Sequence, residues 1–311
     1  MKYVGLQTQV WRNNVNSVLL LILFPLVLFG LVFVFFIIWN TSSGDGTNPD
    51  PVTGFLSVFP WITAGVIIWF IIAWLSHTAM IQKATGSRPL ERKANKRVYN
   101  LVENVAMTAG MKMPAVNIIE DDSLNAFASG ISSKTYTISL SRGIIERLDD
   151  DELEAVIAHE MTHIRNRDVR LLIISIIFVG IFAFITEGLL RSLRFGAIGG
   201  RSRNKNSGPA IIIIIALAGI GWLLTTLFRF ALSRKREYLA DAGAAELTRK
   251  PHSLASALRK VSGDPVIEAV KRKDVAQMFI ENPGEKKKVS LAGLFATHPP
   301  ISKRISILEQ F

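Results

Sequence analysis

Asp149-Asp150-Asp151-Glu152-Leu153-Glu154-Ala155-Val156-Ile157-Ala158-His159-Glu160-Met161-Thr162-His163-Ile164-Arg165-Asn166 is the stretch around which this chain is organised. Asp149, with Glu152 three residues on, has the spacing of a capping box at a helix start. Leu153, Val156 and Ile157 carry the apolar helical pattern onward to about Asn166. His159 and His163 then fall at i and i+4 on one face, with Cβ atoms roughly 6 Å apart, so that both imidazoles can reach one Zn²⁺. Glu160 stands beside them, able to take a proton from water that such an ion acidifies.

A third ligand is available downstream in Arg236-Glu237-Tyr238-Leu239-Ala240-Asp241. Glu237 and Asp241 share a helical face. One carboxylate can complete a His₂Glu site with a fourth position open for water. The other can accept the free ring N–H of a ligand histidine and fix its tautomer. The plainer alternative is surface pairing of these acids with Arg234, Lys235 and Arg236. Asp168, just beyond the first helix, reads as a cap or a partner of Arg165. His77 and His252 show no partner pattern and read as interfacial or surface residues.

The chain of 311 residues as a whole is greasy and basic: net charge +11, mean hydropathy +0.32 and no cysteine. The lack of cysteine excludes a disulfide framework, a cysteine nucleophile and a thiolate-ligated metal. A basic excess in an apolar chain points to membrane-topology charge rather than a nucleic-acid footprint. Four apolar runs follow one another: Val18–Trp39, Phe55–Leu75, Leu171–Leu190 and Ala210–Ala231. The first is uncharged over a length that spans a bilayer, and reads as an uncleaved anchor. In the third, Glu187 sits near the end, where it can reach the interface.

Lys2 and Arg12 precede the first run, the loop after it holds only Asp45 and Asp50, and Lys83, Arg88, Arg92, Lys93, Lys96 and Arg97 follow the second. That asymmetry puts the N-terminus and the His77–Arg170 segment in the cytoplasm. The Arg191–Lys205 link is also basic, although two full spans would place it outside. His159, His163 and Glu237 must meet on one side, so an even number of crossings, or a shallow hairpin, separates them. Between the runs, Pro89–Met111 has the pattern of an amphipathic helix, and Ala115–Glu120 and Lys134–Leu140 read as strands of a small sheet. Ser233–Thr248 and Ser253–Val261 read as further helices.

Four stretches occur in this order: Asn125-Ala126-Phe127-Ala128-Ser129-Gly130, His159–His163, Arg236–Asp241 and Thr297-His298-Pro299-Pro300. Together they resemble the HtpX-type membrane zinc metallopeptidases, gluzincins related to the prenyl-protein endoproteases. The resemblance is dense over Val98–Asp168 and Arg229–Leu308. It implies that His159, His163 and Glu237 hold one Zn²⁺ per chain, that Glu160 is the catalytic base and that Asp241 supports a ligand. It further implies that Asn125, Ala126, Phe127 and Ala128 border the cleft and align an extended substrate, as an edge strand can. His298 is a candidate donor to the oxyanion, or else a turn residue before Pro-Pro.

The expected fold is therefore a mainly α membrane protein: four apolar helical segments plus a zincin-like α+β catalytic domain with a small sheet. Residues 1–76 would form two transmembrane helices with a short external loop, and 77–170 a cytoplasmic catalytic region. Residues 171–231 would form a membrane hairpin, and 232–311 a cytoplasmic region with the third ligand. The implied activity is zinc-dependent endoproteolysis at the inner membrane, facing the cytoplasm and directed at misfolded or damaged membrane proteins under stress. Protein substrates and the lipid bilayer are the expected partners, with no nucleic acid. An intramembrane protease is disfavoured by the charged residues flanking the histidine motif, and a di-iron enzyme by the small number of histidines. A prenyl-protein-type endoprotease and a non-catalytic zinc-binding scaffold are the alternatives.

Overall fold

The computed structural model describes residues 6–42, 50–177, 180, 187, 191, 219, 235–262 and 299–311. Its order is α1 (Leu6–Ser42), α2 (Pro51–Thr85), β1 (Ser87–Pro89), α3 (Lys96–Thr108), β2 (Ala115–Ile119), β3 (Ala126–Ser129), β4 (Thr137–Ser141), α4 (Arg142–Arg147), α5 (Asp150–Arg165), α6 (Lys235–Thr248), α7 (Pro251–Val261) and α8 (Ile301–Leu308). The chain divides into two units. One gathers Met1–Asn16, Ser76–Ile173 and Arg229–Phe311; the other holds Ser17–Leu75 and Ile174–Phe228.

The second unit holds the apolar parts of α1 and α2, the two helices among the described residues that are long and apolar enough to cross a membrane, while residues 6–16 of α1 and 76–85 of α2 belong to the first unit. Both run well past the apolar stretches seen in the sequence, and each contains a proline, Pro25 and Pro60. Phe24 and Ile174 are buried, with Leu20, Leu31, Val66 and Trp69 packed against them. Leu19, Ile22, Leu26, Ile67 and Ile68 are exposed, which suits a face turned to hydrocarbon chains. The third apolar run is described as helix over 168–177. Most of its remainder, the fourth run and the basic Arg191–Lys205 link lie outside the described residues.

The first unit is built around α5. Its start is a complete capping box: Glu152 N–H donates to Asp149 Oδ1 at 2.9 Å, and Asp149 N–H donates to Glu152 Oε2 at 3.1 Å. Asp150, Asp151 and Glu152 occupy its first turn, where negative charge meets the positive end of the helix dipole. From α7, Ser256 and Lys260 donate to Glu152 at 2.7 and 2.6 Å. Leu153, Ala155, Val156, Ile157, Ala158, Met161 and Ile164 are all buried. A helix that is covered on nearly every side is a core helix rather than a surface one. It packs on α3, α6, α7 and β3.

The sheet has the order β1-β2-β4-β3, with β2 and β4 parallel and both outer pairs antiparallel. β3 therefore forms one edge, in register Ala126↔Leu140 and Ala128↔Ile138. Ser141 Oγ accepts from Asn125 N–H at 3.0 Å and donates to Ser123 carbonyl at 2.6 Å, which pins the start of β3. The helix expected from Pro89 instead begins after Asn95, whose Oδ1 accepts from Val98 N–H at 3.0 Å, because Pro89 is taken up by β1. It ends at Thr108, ahead of Gly110, which has φ +64°.

Gly243 sets the distance between α6 and α5. A Cβ there would sit 2.5 Å from Thr162 Cγ2 and 2.9 Å from Thr162 Oγ1. Thr162 cannot turn away cheaply: it is β-branched and buried, and its hydroxyl donates to Ala158 carbonyl at 2.8 Å. Gly243→Ala should therefore destabilise the protein by about 1–3 kcal/mol through overpacking. It should also weaken metal binding, because Thr162 lies within the histidine motif; Gly243→Val should do more of both. Thermal unfolding in detergent and metal titration check this, and unchanged values in both would mean that the two helices have slack.

Candidate metal centre

The third and fourth turns of α5 carry His159, Glu160 and His163, and the first turn of α6 carries Glu237. The Nε2 atoms of His159 and His163 converge to 3.2 Å. Glu237 Oε2 lies 3.8 Å from His159 Nε2, and its Oε1 lies 3.7 Å from His163 Nε2. Donor atoms on a tetrahedral Zn²⁺ at about 2.1 Å stand about 3.4 Å from one another. Two nitrogens and a carboxylate at these separations fit such an ion. Among the described residues this is the group of three or more such side chains that could hold a metal.

The far nitrogen of each imidazole faces a carboxylate. His159 Nδ1 is 3.0 Å from Asp241 Oδ1, and His163 Nδ1 is 2.9 Å from Asp168 Oδ2. A carboxylate on Nδ1 keeps the proton there and leaves the Nε2 lone pair for a metal. The sequence reading of Asp168 as a cap or an Arg165 partner is thus corrected: α5 ends at Asn166, and Arg167 takes a left-handed conformation with φ +61°. That turn folds Asp168 back onto His163. Arg165 sits 3.7 Å from Glu246 instead.

Arg304, on α8, is a residue the sequence reading missed. It is fully buried, and its Nε and Nη2 donate to Asp241 Oδ2 and Oδ1 at 2.8 and 2.6 Å, a bidentate clamp. Its Nη1 is 3.5 Å from Glu237 Oε2. The available signal was one arginine on the buried face of a short amphipathic helix, in register with Leu308. His298 lies outside the described residues. Asn125, Ala126, Phe127 and Ala128 are all buried along β3 and its approach.

Burial pushes the Glu160 pKa above the ordinary carboxylate range, against the pull of the two imidazoles. For Asp241 burial acts in the same direction, but the Arg304 guanidinium and His159 outweigh it and hold its pKa at about 2. Burial disfavours a charged His159, yet Asp241 and Glu237 override that and lift its pKa to about 9.

A buried His-Glu-Met-Thr-His turn with a converging glutamate is the equipment of a metal-dependent hydrolase. Comparison with known proteins identifies which class. Residues 92–311 match Peptidase family M48. The Protease HtpX homolog of Bacteroides fragilis (strain YCH46) is 58% identical, covering 100% of both chains. The Protease HtpX homolog of Listeria monocytogenes serotype 4a (strain HCC23) is 41% identical over 80% of this chain and 85% of that one. The crystal structure of S. mikatae Ste24p aligns with 96% of this chain and 66% of that chain, at 19% identity and a TM-score of 0.47. The chain belongs to peptidase family M48. It is a membrane-associated metalloprotease, acting on protein substrates and requiring a metal ion.

The raised His159 pKa gives a pH dependence. Below about pH 9 the ring carries an extra proton, which must leave before Nε2 can bind a metal. Binding therefore releases a proton, and apparent affinity should climb about tenfold per pH unit from near neutrality, flattening above about pH 9. In the metal-free chain the same shift stabilises the fold below the ordinary histidine value of 6.5, and this contribution is lost as pH rises through about 9. Metal titrations between pH 6.5 and 9.5 check the slope; a flat profile would remove His159 from the ligand set.

Proposed function

We propose that this chain is a zinc endopeptidase of the cytoplasmic membrane that cleaves misfolded or damaged membrane proteins. The observation that carries the chemistry is the convergence of His159 Nε2, His163 Nε2 and Glu237 on one point, all within 4.8 Å of one another, with Glu160 in the same turn of helix. His159, His163 and Glu237 are assigned as the zinc ligands, and Asp241 as the group that orients His159. A zinc ion held there supplies a Lewis acid that acidifies water and polarises the scissile carbonyl.

Glu160 does the proton work. Its raised pKa makes it a stronger base than a solvated glutamate. It takes the proton of the attacking water and hands it to the amide nitrogen as the peptide bond breaks. Asn125, Ala126, Phe127 and Ala128 border the cleft in this proposal, and the edge position of β3 supports their pairing with an extended peptide. His298, three residues before α8, is the assigned donor to the oxyanion.

Topology follows from charge. Residues 1–76 form two transmembrane helices with a short external loop, and 171–231 a hairpin that completes the four apolar segments. The zincin-like catalytic regions, 77–170 and 232–311, face the cytoplasm. Lys83, Arg88, Arg92, Lys93, Lys96 and Arg97 after the second span support this orientation.

Metal content and casein proteolysis of the detergent-purified protein test the proposal. The wild type should hold about one zinc per chain. Glu160→Gln should keep zinc and lose cleavage by about 10²–10⁴-fold, the range of a general base. Glu237→Ala should lose both. Robust hydrolysis by Glu160→Gln would overturn the assignment, and zinc without cleavage in the wild type would point to a binding module.

A further inference from the structure

Asp168, which holds His163, is itself held by the N-terminal segment. Asn13, in the second turn of α1, is buried. Its Nδ2 donates to Asp168 Oδ1 at 2.6 Å and to the Asn166 carbonyl at 2.8 Å. Both amide hydrogens are thus directed at the turn that follows α5. The neighbouring Asn14 accepts from Arg167 Nη1 at 2.8 Å. Arg167 is the residue with φ +61°, a conformation costing a non-glycine residue roughly 1–2 kcal/mol. Two consecutive asparagines therefore secure three consecutive residues of a strained turn, and the turn's product is the Asp168 carboxylate on His163 Nδ1.

We propose that Asn13 is a positioning residue for the metal centre, acting through Asp168 to fix the ring and tautomer of His163. The alignment has a direction. With one Asp168 oxygen engaged by the Asn13 amide, the other is turned to the imidazole N–H. An unanchored Asp168 could turn either oxygen, or neither, to the ring. Residues 13 and 14 lie in the helical turns of α1 that precede its apolar run. The stretch before the first membrane segment is then part of the metal centre's support rather than a passive leader.

The inference rests on the His159–His163–Glu237 reading, so the experiment separates the two. Zinc affinity is measured by chelator competition on the full-length protein in detergent. The set is wild type, Asn13→Ala, Asn13→Ser, Asp168→Ala, Asn13→Ala with Asp168→Ala, and Glu237→Ala. Outer partners of ligand histidines contribute about 10–100-fold to metal affinity. Asn13→Ala should weaken zinc about tenfold, and Asn13→Ser, which retains a donor, should lose less. In the Asp168→Ala background Asn13→Ala should change affinity by no more than about twofold, since coupled residues are non-additive. The Co²⁺-substituted absorption spectrum should shift in Asn13→Ala and revert toward wild type in Asn13→Ser.

Equal losses with and without Asp168 would mean that Asn13 acts through packing, which overturns the proposal, as would unchanged affinity in Asn13→Ala. Should Asn13→Ala not fold, Asn13→Ser with and without Asp168→Ala gives the same cycle at smaller amplitude: a loss confined to the Asp168 background supports the proposal, and equal losses overturn it. Full affinity in Glu237→Ala would instead refute the metal-site reading itself.

Discussion

Everything in the catalytic unit depends on holding two imidazoles, His159 buried and His163 partly buried, with their Nε2 atoms 3.2 Å apart. Such a pair is unstable by itself: the proximity disfavours two charged rings, and neutral rings would rotate to find other partners. The chain resolves this with carboxylates on the far side, Asp241 for His159 and Asp168 for His163. Carboxylates in an apolar core need their own partners, because an unpaired buried charge is far costlier than a paired one. Arg304 answers for Asp241 and Asn13 for Asp168. Glu237 and Glu160 add further negative charge, so the cluster of four carboxylates exceeds what the two buried guanidiniums, Arg304 and Arg236, neutralise. A divalent cation among Glu237 and the two histidines offsets that excess, and metal binding here becomes folding free energy as well as catalysis.

How much of this could be read in advance follows from the range of each signal. The histidine motif, its capping box and the i, i+4 acids at Glu237 and Asp241 are local patterns, and local patterns survive in a bare sequence. Both ends of α5, and the end of α6 at Thr248, emerged within two residues of those expected. The start of α3 did not. An apolar period over Pro89–Met111 gives no hint that Ser87–Pro89 would be claimed by a strand pairing with Ile119, far along the chain.

The same limit explains the misjudged site residues. Asp168 looks like a helix-end acid because its role depends on Arg167 adopting a left-handed turn, which arginine does not advertise. Asn13 sits in a polar run before an apolar helix, where asparagine is unremarked. Arg304 lies among other basic residues, Lys303 beside it, and only tertiary packing distinguishes the buried guanidinium from the exposed ammonium. Asn13 and Arg304 have partners remote in sequence, and Asp168 meets His163 only through that turn. The candidate ligands and Asp241 could be found by spacing, whereas Asp168, Asn13 and Arg304 could not.

Separation in sequence also determines when the centre can exist. α5 and the turn that follows it present His159, His163 and Asp168, a half-site closed locally. Glu237 and Asp241 arrive only with α6, on the far side of the residues between Arg165 and Lys235. Asp241 is held only when α8, at the end of the chain, has docked and inserted Arg304. Asp168 is held only when the turns of α1 that precede its apolar run have reached Asn166. A centre assembled from such distant pieces pays its loop-closure entropy before its contacts are complete. A complete ligand set, with both rings oriented, is thus confined to chains whose first and last helices have both found α5. For a protease this is an advantage of the design: a partly folded copy has the histidine motif but not the ordered carboxylates around it, and so lacks the means to cut its neighbours.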